Sequence, residues 1–178
     1  YAYYFGACDR VSDIRKSLEI LFTRFEDESI KESPLYWEIA RLKGSCYTNY
    51  LHDFEKGLEN TLDALRRFTL PENPRNGDLI LFAGLYGYVG DVYRRLGNYE
   101  EAIKYYQEDL KICLENNLEA QKYAPLFYLG RIYHAQKDYE KSQEYFIQCA
   151  EMKNETDDSY NRSAPFSYLF DIERTKGN

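Results

Sequence analysis

The chain is poor in the residues on which metal, redox and covalent chemistry depend. It has two histidines in 178 residues, His52 and His134, in separate stretches. Neither has a second His or a Glu three or four residues away on one continuous helix face, the spacing a zinc site needs. Glu55 follows His52 only across a helix break. The four cysteines, Cys8, Cys46, Cys113 and Cys149, stand singly, so no Cys-x-x-Cys pair offers zinc binding or disulfide exchange. Thiols used as small apolar residues suit a reducing compartment, and a cytoplasmic location is expected. No glycine-rich phosphate loop and no Gly-x-Ser-x-Gly elbow occurs. No catalytic, cofactor-binding or metal-binding residues are expected, and no enzyme.

Negative charge outweighs positive, with 30 Asp and Glu against 23 Lys and Arg. The net charge is −7 and the pI near 5.0, without the excess of Lys and Arg that grips a nucleic-acid backbone. No apolar run reaches the ~18 residues of a membrane span. Nucleic acid and membrane are therefore not expected as partners.

What the chain does have is tyrosine, 19 of them against 10 Phe and 1 Trp, and a period. Tyr88, Tyr128 and Tyr168 share one register, 40 apart. Tyr86, Leu126 and Phe166 share another, as do Val89, Leu129 and Leu169, and Val92, Ile132 and Ile172. The turn keeps step: Gly97-Asn98-Tyr99 becomes Lys137-Asp138-Tyr139, and the sequence reaches Gly177-Asn178. Such a period marks a stack of repeated units, each burying its apolar face against its neighbours. Within one unit, Tyr86, Val89, Gly90 and Tyr93 have the spacing of one helix face. Gly97-Asn98 ends that helix and caps the next, whose buried face carries Tyr99, Ala102, Ile103, Tyr106 and Leu110.

Tyr86, Val89-Gly90, Tyr93, Ala102 and Tyr106 together resemble the signature of the tetratricopeptide repeat. Leu126, Leu129-Gly130, Tyr133, Ser142 and Phe146 follow it in the next unit, with Ser142 in place of Ala. The last unit keeps Phe166 and Leu169 but places Phe170 at the Gly site and Glu173 at the Tyr site, as an atypical terminal helix does. Backwards, Asp53-Phe54 and Asp13-Ile14 mark earlier turns. A helix is expected over about Ser33–Tyr50, with Ser33-Pro34 as its cap and a turn one residue longer than the others. Pro71–Asp78 reads as a surface loop that stretches one step to 45 residues, from Phe54 to Tyr99. Units of 40 exceed the family's usual length of about 34. They are similar to those of spindle-orientation scaffolds that carry GoLoco motifs, and of bacterial peptide- and sugar-sensing regulators.

The resemblance implies an all-α fold, a right-handed superhelix of stacked antiparallel helix pairs with about nine helices, in a single domain over residues 1–178. The chain starts on Tyr1 inside an apolar stretch and stops at a turn, so it reads as a piece of a longer stack. Open stack ends suit a homo-oligomer or a continued stack.

The resemblance also implies a function: a scaffold that binds a partner protein or peptide in its concave groove. The alternative is a sensor or regulatory module of a larger signalling or transcription-regulating protein. Family geometry puts the first helix of each pair along the groove, and with it Gly84, Gly87, Asp91 and Arg94, then Ala124, Phe127, Arg131 and His134, then Ser167, Asp171 and Arg174. Arg94, His134 and Arg174 share a register, with Arg131 one turn away. The peptide-binding candidates are thus Asp91, Arg94, Phe127, Arg131, His134 and Arg174. Two readings of this basic line stand. Its guanidinium forks can hold an acidic segment or a C-terminal carboxylate, or its charges are solvated groups that complement helix C-termini. Tyr88, Tyr128 and Tyr168 read as packing between units rather than as a ligand ladder.

Overall fold

The structure is a computed structural model. It describes Lys16, Ile20, Phe22 and Thr23 together with residues 28–32, 36–152 and 159–177. It divides into two compact units, Tyr1–Thr69 and Leu70–Asn178. The first holds α1 (Glu28–Lys31), α2 (Tyr36–Cys46), a π-helical turn at Tyr47–Leu51, and α3 (Phe54–Arg67). The second holds α4 (Asn76–Arg95), α5 (Tyr99–Glu115), a 3-10 turn at Glu119–Lys122, α6 (Tyr123–Ala135), α7 (Tyr139–Glu151) and α8 (Ser159–Lys176). The described residues form no strand, and the fold is all-α.

Beyond the single turn of α1, the described residues form seven helices, against the nine expected. Of the first two expected helices, Tyr1–Asp9 lies outside the described residues, as does the Ser33-Pro34 cap, and of the one after Asp13-Ile14 only Lys16, Ile20, Phe22 and Thr23 are described, all of them helical. The helix expected over about Ser33–Tyr50 is α-helical only to Cys46. It then widens into the π turn, where Asp53 N–H donates to Tyr47 O at 3.0 Å. That wider turn accommodates the extra residue read in the sequence. The expected loop at Pro71–Asp78 is shorter than expected, because Asn76, Gly77 and Asp78 already belong to α4. The Asp78 carboxylate accepts from Arg75 N–H at 2.9 Å and ties down the helix start.

In the first unit, α2 and α3 approach through glycine. A Cβ on Gly44 would lie 2.3 Å from Thr61 Oγ1, and one on Gly57 would lie 2.3 Å from Thr48 Oγ1. Each buried threonine hydroxyl is satisfied within its own helix, Thr48 on Gly44 O at 2.9 Å and Thr61 on Gly57 O at 2.7 Å. The seam is thus close and leaves no hydroxyl unpaired.

The second unit repeats one device twice. Tyr106 of α5 lays its ring against Gly90 of α4, and Phe146 of α7 lays its ring against Gly130 of α6. Both rings are buried, and burying a side chain of this class contributes about 1.5–3 kcal/mol. Ser142, standing where the family has Ala, donates its hydroxyl to Gly130 O at 2.9 Å, so its polar atom is paired inside the seam. Each second helix is capped as the sequence suggests: Asn98 Oδ1 accepts from Glu101 N–H at 3.3 Å, and Asp138 Oδ1 from Lys141 N–H at 3.2 Å.

Consecutive pairs are joined by the tyrosine register. Tyr128 stacks on Tyr106 with ring centroids 5.3 Å apart, and Tyr168 stacks on Phe146 at 4.6 Å. These two tyrosines are packing residues. Tyr88 of the same register is 45% exposed. At α8 the device changes. Phe170, at the Gly register, is 71% exposed. Glu173, at the register where Tyr93 and Tyr133 stack on Tyr105 and Tyr145, instead accepts from Gln143 Nε2 at 2.9 Å. It thereby ties α8 back to α7.

Candidate functional site

The six candidates all lie in the second unit, on its first-of-pair helices α4, α6 and α8. Two registers, three residues apart, carry the charge. One holds Asp91, Arg131 and Asp171, and the other holds Arg94, His134 and Arg174.

The two aspartates absorb most of the basic line. Asp91 Oδ1 accepts from Arg94 Nη2 at 2.5 Å and from Nε at 3.2 Å, while Oδ2 accepts from Arg95 Nε at 2.7 Å. Asp171 Oδ1 accepts from Arg174 Nη2 at 2.8 Å. Its Oδ2 lies 3.2 Å from His134 Nε2, which itself makes no hydrogen bond. The His134 ring is wedged edge-on between Tyr139 and Tyr168, at 5.5 and 5.2 Å.

Arg131 differs. Among the described residues its guanidinium has no carboxylate partner. It lies 5.8 Å from the ring centroids of both Phe127 and Tyr128. Arg94 also faces Tyr128, at 5.3 Å, so two guanidinium groups share one ring. The Tyr106 hydroxyl is buried beside the Asp91–Arg94 pair. Burial first, and then the Asp91 charge, pushes its acidity far above the usual phenol range. It therefore stays a neutral donor. Phe127 is largely a packing residue, set against Tyr123, Phe146 and Tyr168 at 5.8–6.1 Å.

The small residues expected to leave room for a backbone differ from one another. A Cβ on Gly84 would meet nothing within 4 Å. A Cβ on Gly87 would lie 2.6 Å from Asp109 Oδ2, so that space already holds a carboxylate. Asp109, on α5, is 6% exposed. Burial pushes its carboxyl up to about 7, opposed by a hydrogen bond from the Cys113 thiol at 3.6 Å. Sequence reasoning missed this residue. The signal was its spacing, since Asp109 follows Tyr106 by three and so falls on the helix's buried stripe.

The thiols fit the reading of inert apolar residues: burial pushes both Cys113 and Cys149 up to about 12. Among the described residues no group of three His, Cys, Asp or Glu side chains is placed to hold a metal ion. No described helix is long and apolar enough to cross a membrane. The first unit has a polar cavity of about 440 Å3, where Lys56, Arg66 and Arg67 meet Glu59 and Asp63. The sequence reading placed no site there.

The comparisons agree with the geometry. The family model of the tetratricopeptide repeat matches residues 81–155, which run from α4 through α7. The fold is similar to the crystal structure of BtubC (BKLC) from P. vanneervenii, with a TM-score of 0.69 and 19% sequence identity. That likeness covers 93% of this chain and 65% of the other, so the chain spans about 65% of the length of that structure. At this identity the likeness speaks for fold alone. No curated protein matches the chain.

Proposed function

We propose, from the match of residues 81–155 to the tetratricopeptide repeat model, a family of protein–protein interaction modules, that the α4–α6–α8 face binds an acidic segment of a partner protein. The observation that carries this reading is Arg131. Its register partners, Asp91 and Asp171, each hold an arginine of the same face. Arg131 has no such partner and lies beside two aromatic rings. The rings fix its plane and limit the rotamer freedom lost on binding, so the fork is ready for a carboxylate. Arg94 faces the same Tyr128 ring, within reach of a second acidic group. With Arg95 and Arg174, four arginines of this face stand against two carboxylates. The face therefore keeps an excess of positive charge within an acidic protein. The smooth stretch at Gly84 leaves space for a peptide backbone.

The test is an array of acidic, neutral and basic peptides, some ending in a free carboxylate and some amidated, followed by titration of the best binders. The Arg131→Glu variant should weaken acidic binders by about 2–5 kcal/mol, the usual cost of reversing one member of a desolvated charge pair. Unchanged affinity in Arg131→Glu, or no preference for acidic peptides, would overturn the reading.

A further inference from the structure

A cavity of about 680 Å3 in the second unit plays no part in the groove reading. It is lined by the ends of α5 and α7, the 3-10 turn and α6, and so belongs mainly to the second helices of the pairs. Leu110, Leu114, Leu126 and Met152 give it an aliphatic surface, with Glu119 and Glu151 among its polar lining. Leu114 is 56% exposed, so the apolar surface is open to solvent rather than closed inside the core. The volume is that of a pocket for a small ligand or for a few side chains.

The lining carries two carboxylates, Glu119 and Glu151, and one amine, Lys122. Lys122, the cation of the lining, is ion-paired with Glu119. Glu151 has no ion pair among the described residues. Glu115, next to Leu114, and Glu144, one turn before Gln148 of the lining, are exposed and have none either. An open aliphatic slot between two helix ends, whose lining keeps a net negative charge through Glu151, is complementary to a helix with aliphatic residues on one face and Lys or Arg beside them.

We propose that this cavity is a docking site for the apolar side chains of a basic amphipathic helix from a partner protein. The site is separate from the arginine-bearing face and selects the opposite charge, so one chain can hold an acidic segment on its first helices and a basic helix on its second helices. The sequence gives little sign of it, because Leu110, Leu126 and Met152 come from three different helices or helix ends.

The chain contains a single methionine, and it lines the cavity. The 13C-labelled methyl of Met152 is therefore a one-signal reporter. The probes are a synthetic leucine–lysine amphipathic peptide of about four helical turns and its leucine–glutamate counterpart. The leucine–lysine peptide should shift the Met152 methyl saturably, and the leucine–glutamate peptide should not. Leu114→Glu should weaken the leucine–lysine peptide by at least about tenfold, with Leu114→Gln in between, while Arg131→Glu leaves it unchanged. The exposure of Leu114 makes both variants compatible with folding, which far-UV circular dichroism checks. The proposal is overturned by an unmoved Met152 signal, by equal shifts from both peptides, or by wild-type affinity in Leu114→Glu. Because Arg131→Glu acts on the other face, loss of one site is read separately from loss of the other.

Discussion

Asp109 makes the stability of the second unit depend on pH. Its carboxyl is pushed from an ordinary value of 3.8 up to about 7 by burial. Below pH 4 it is protonated in both the folded and the unfolded chain and adds nothing. Between pH 4 and 7 the unfolded chain gives up the proton while the folded chain keeps it, so stability falls as pH rises. Above 7 the folded chain carries a buried carboxylate, and the penalty levels off. A difference of about three units at ~1.4 kcal/mol each gives a ceiling of about 4 kcal/mol. Asp109→Asn removes the ionisation, keeps the shape, and leaves a carbonyl to accept from the Cys113 thiol, itself held protonated because burial pushes it up to about 12. Urea unfolding of wild type and Asp109→Asn at steps from about pH 3.5 to 8.5 measures the effect. The two should coincide near the acid end and separate steadily, with the variant more stable by up to about 4 kcal/mol at pH 8. Equal slopes, or a variant less stable at pH 8, would refute the argument that the carboxylate is uncompensated.

Two further changes test the packing and the groove. Gly130→Ala places a methyl 2.9 Å from the Phe146 ring. Overpacking of this kind should cost about 1–3 kcal/mol, read as a lower Tm. Asp91→Asn releases Arg94 and Arg95 from their shared carboxylate. It should raise affinity for acidic peptides by up to about tenfold, with a steeper salt dependence, measured by titration at two ionic strengths.

The parts of the fold legible in the sequence are those with local causes. Asn98 and Asp138 cap helices because of their own side chains, and Gly90 and Gly130 mark close approach because an aromatic ring needs the space. The packing of Tyr128 and Tyr168 is legible because Tyr106 and Phe146 stand 40 residues apart on the facing helices, whereas Tyr88 of the same register is exposed. The charges of the candidate site were less so. Arg94, His134 and Arg174 form a basic line in the sequence. The Asp91–Arg94, Asp91–Arg95 and Asp171–Arg174 spacings of three or four allow intrahelical pairing, which takes most of that line's charge. Arg131 emerges only once those pairs are removed. The apolar cavity was illegible because distant residues form it, and the start of α4 at Asn76 was hidden inside a stretch whose composition suggests a loop.

In the second unit, every helix of the stack packs on the helix next to it in the chain, through Tyr106 on Gly90, Tyr128 on Tyr106, Phe146 on Gly130 and Tyr168 on Phe146. All four partners are separated by about 16 to 22 residues. A topology built from such near-neighbour closures has low contact order, and loop closure costs it little entropy before the apolar contacts form. Folding can begin at the α4–α5 pair or at the α6–α7 pair and spread outward one helix at a time. The rate is then set by the intrinsic strength of a single pair, and a substitution such as Gly130→Ala slows folding only along the routes that begin at its own pair.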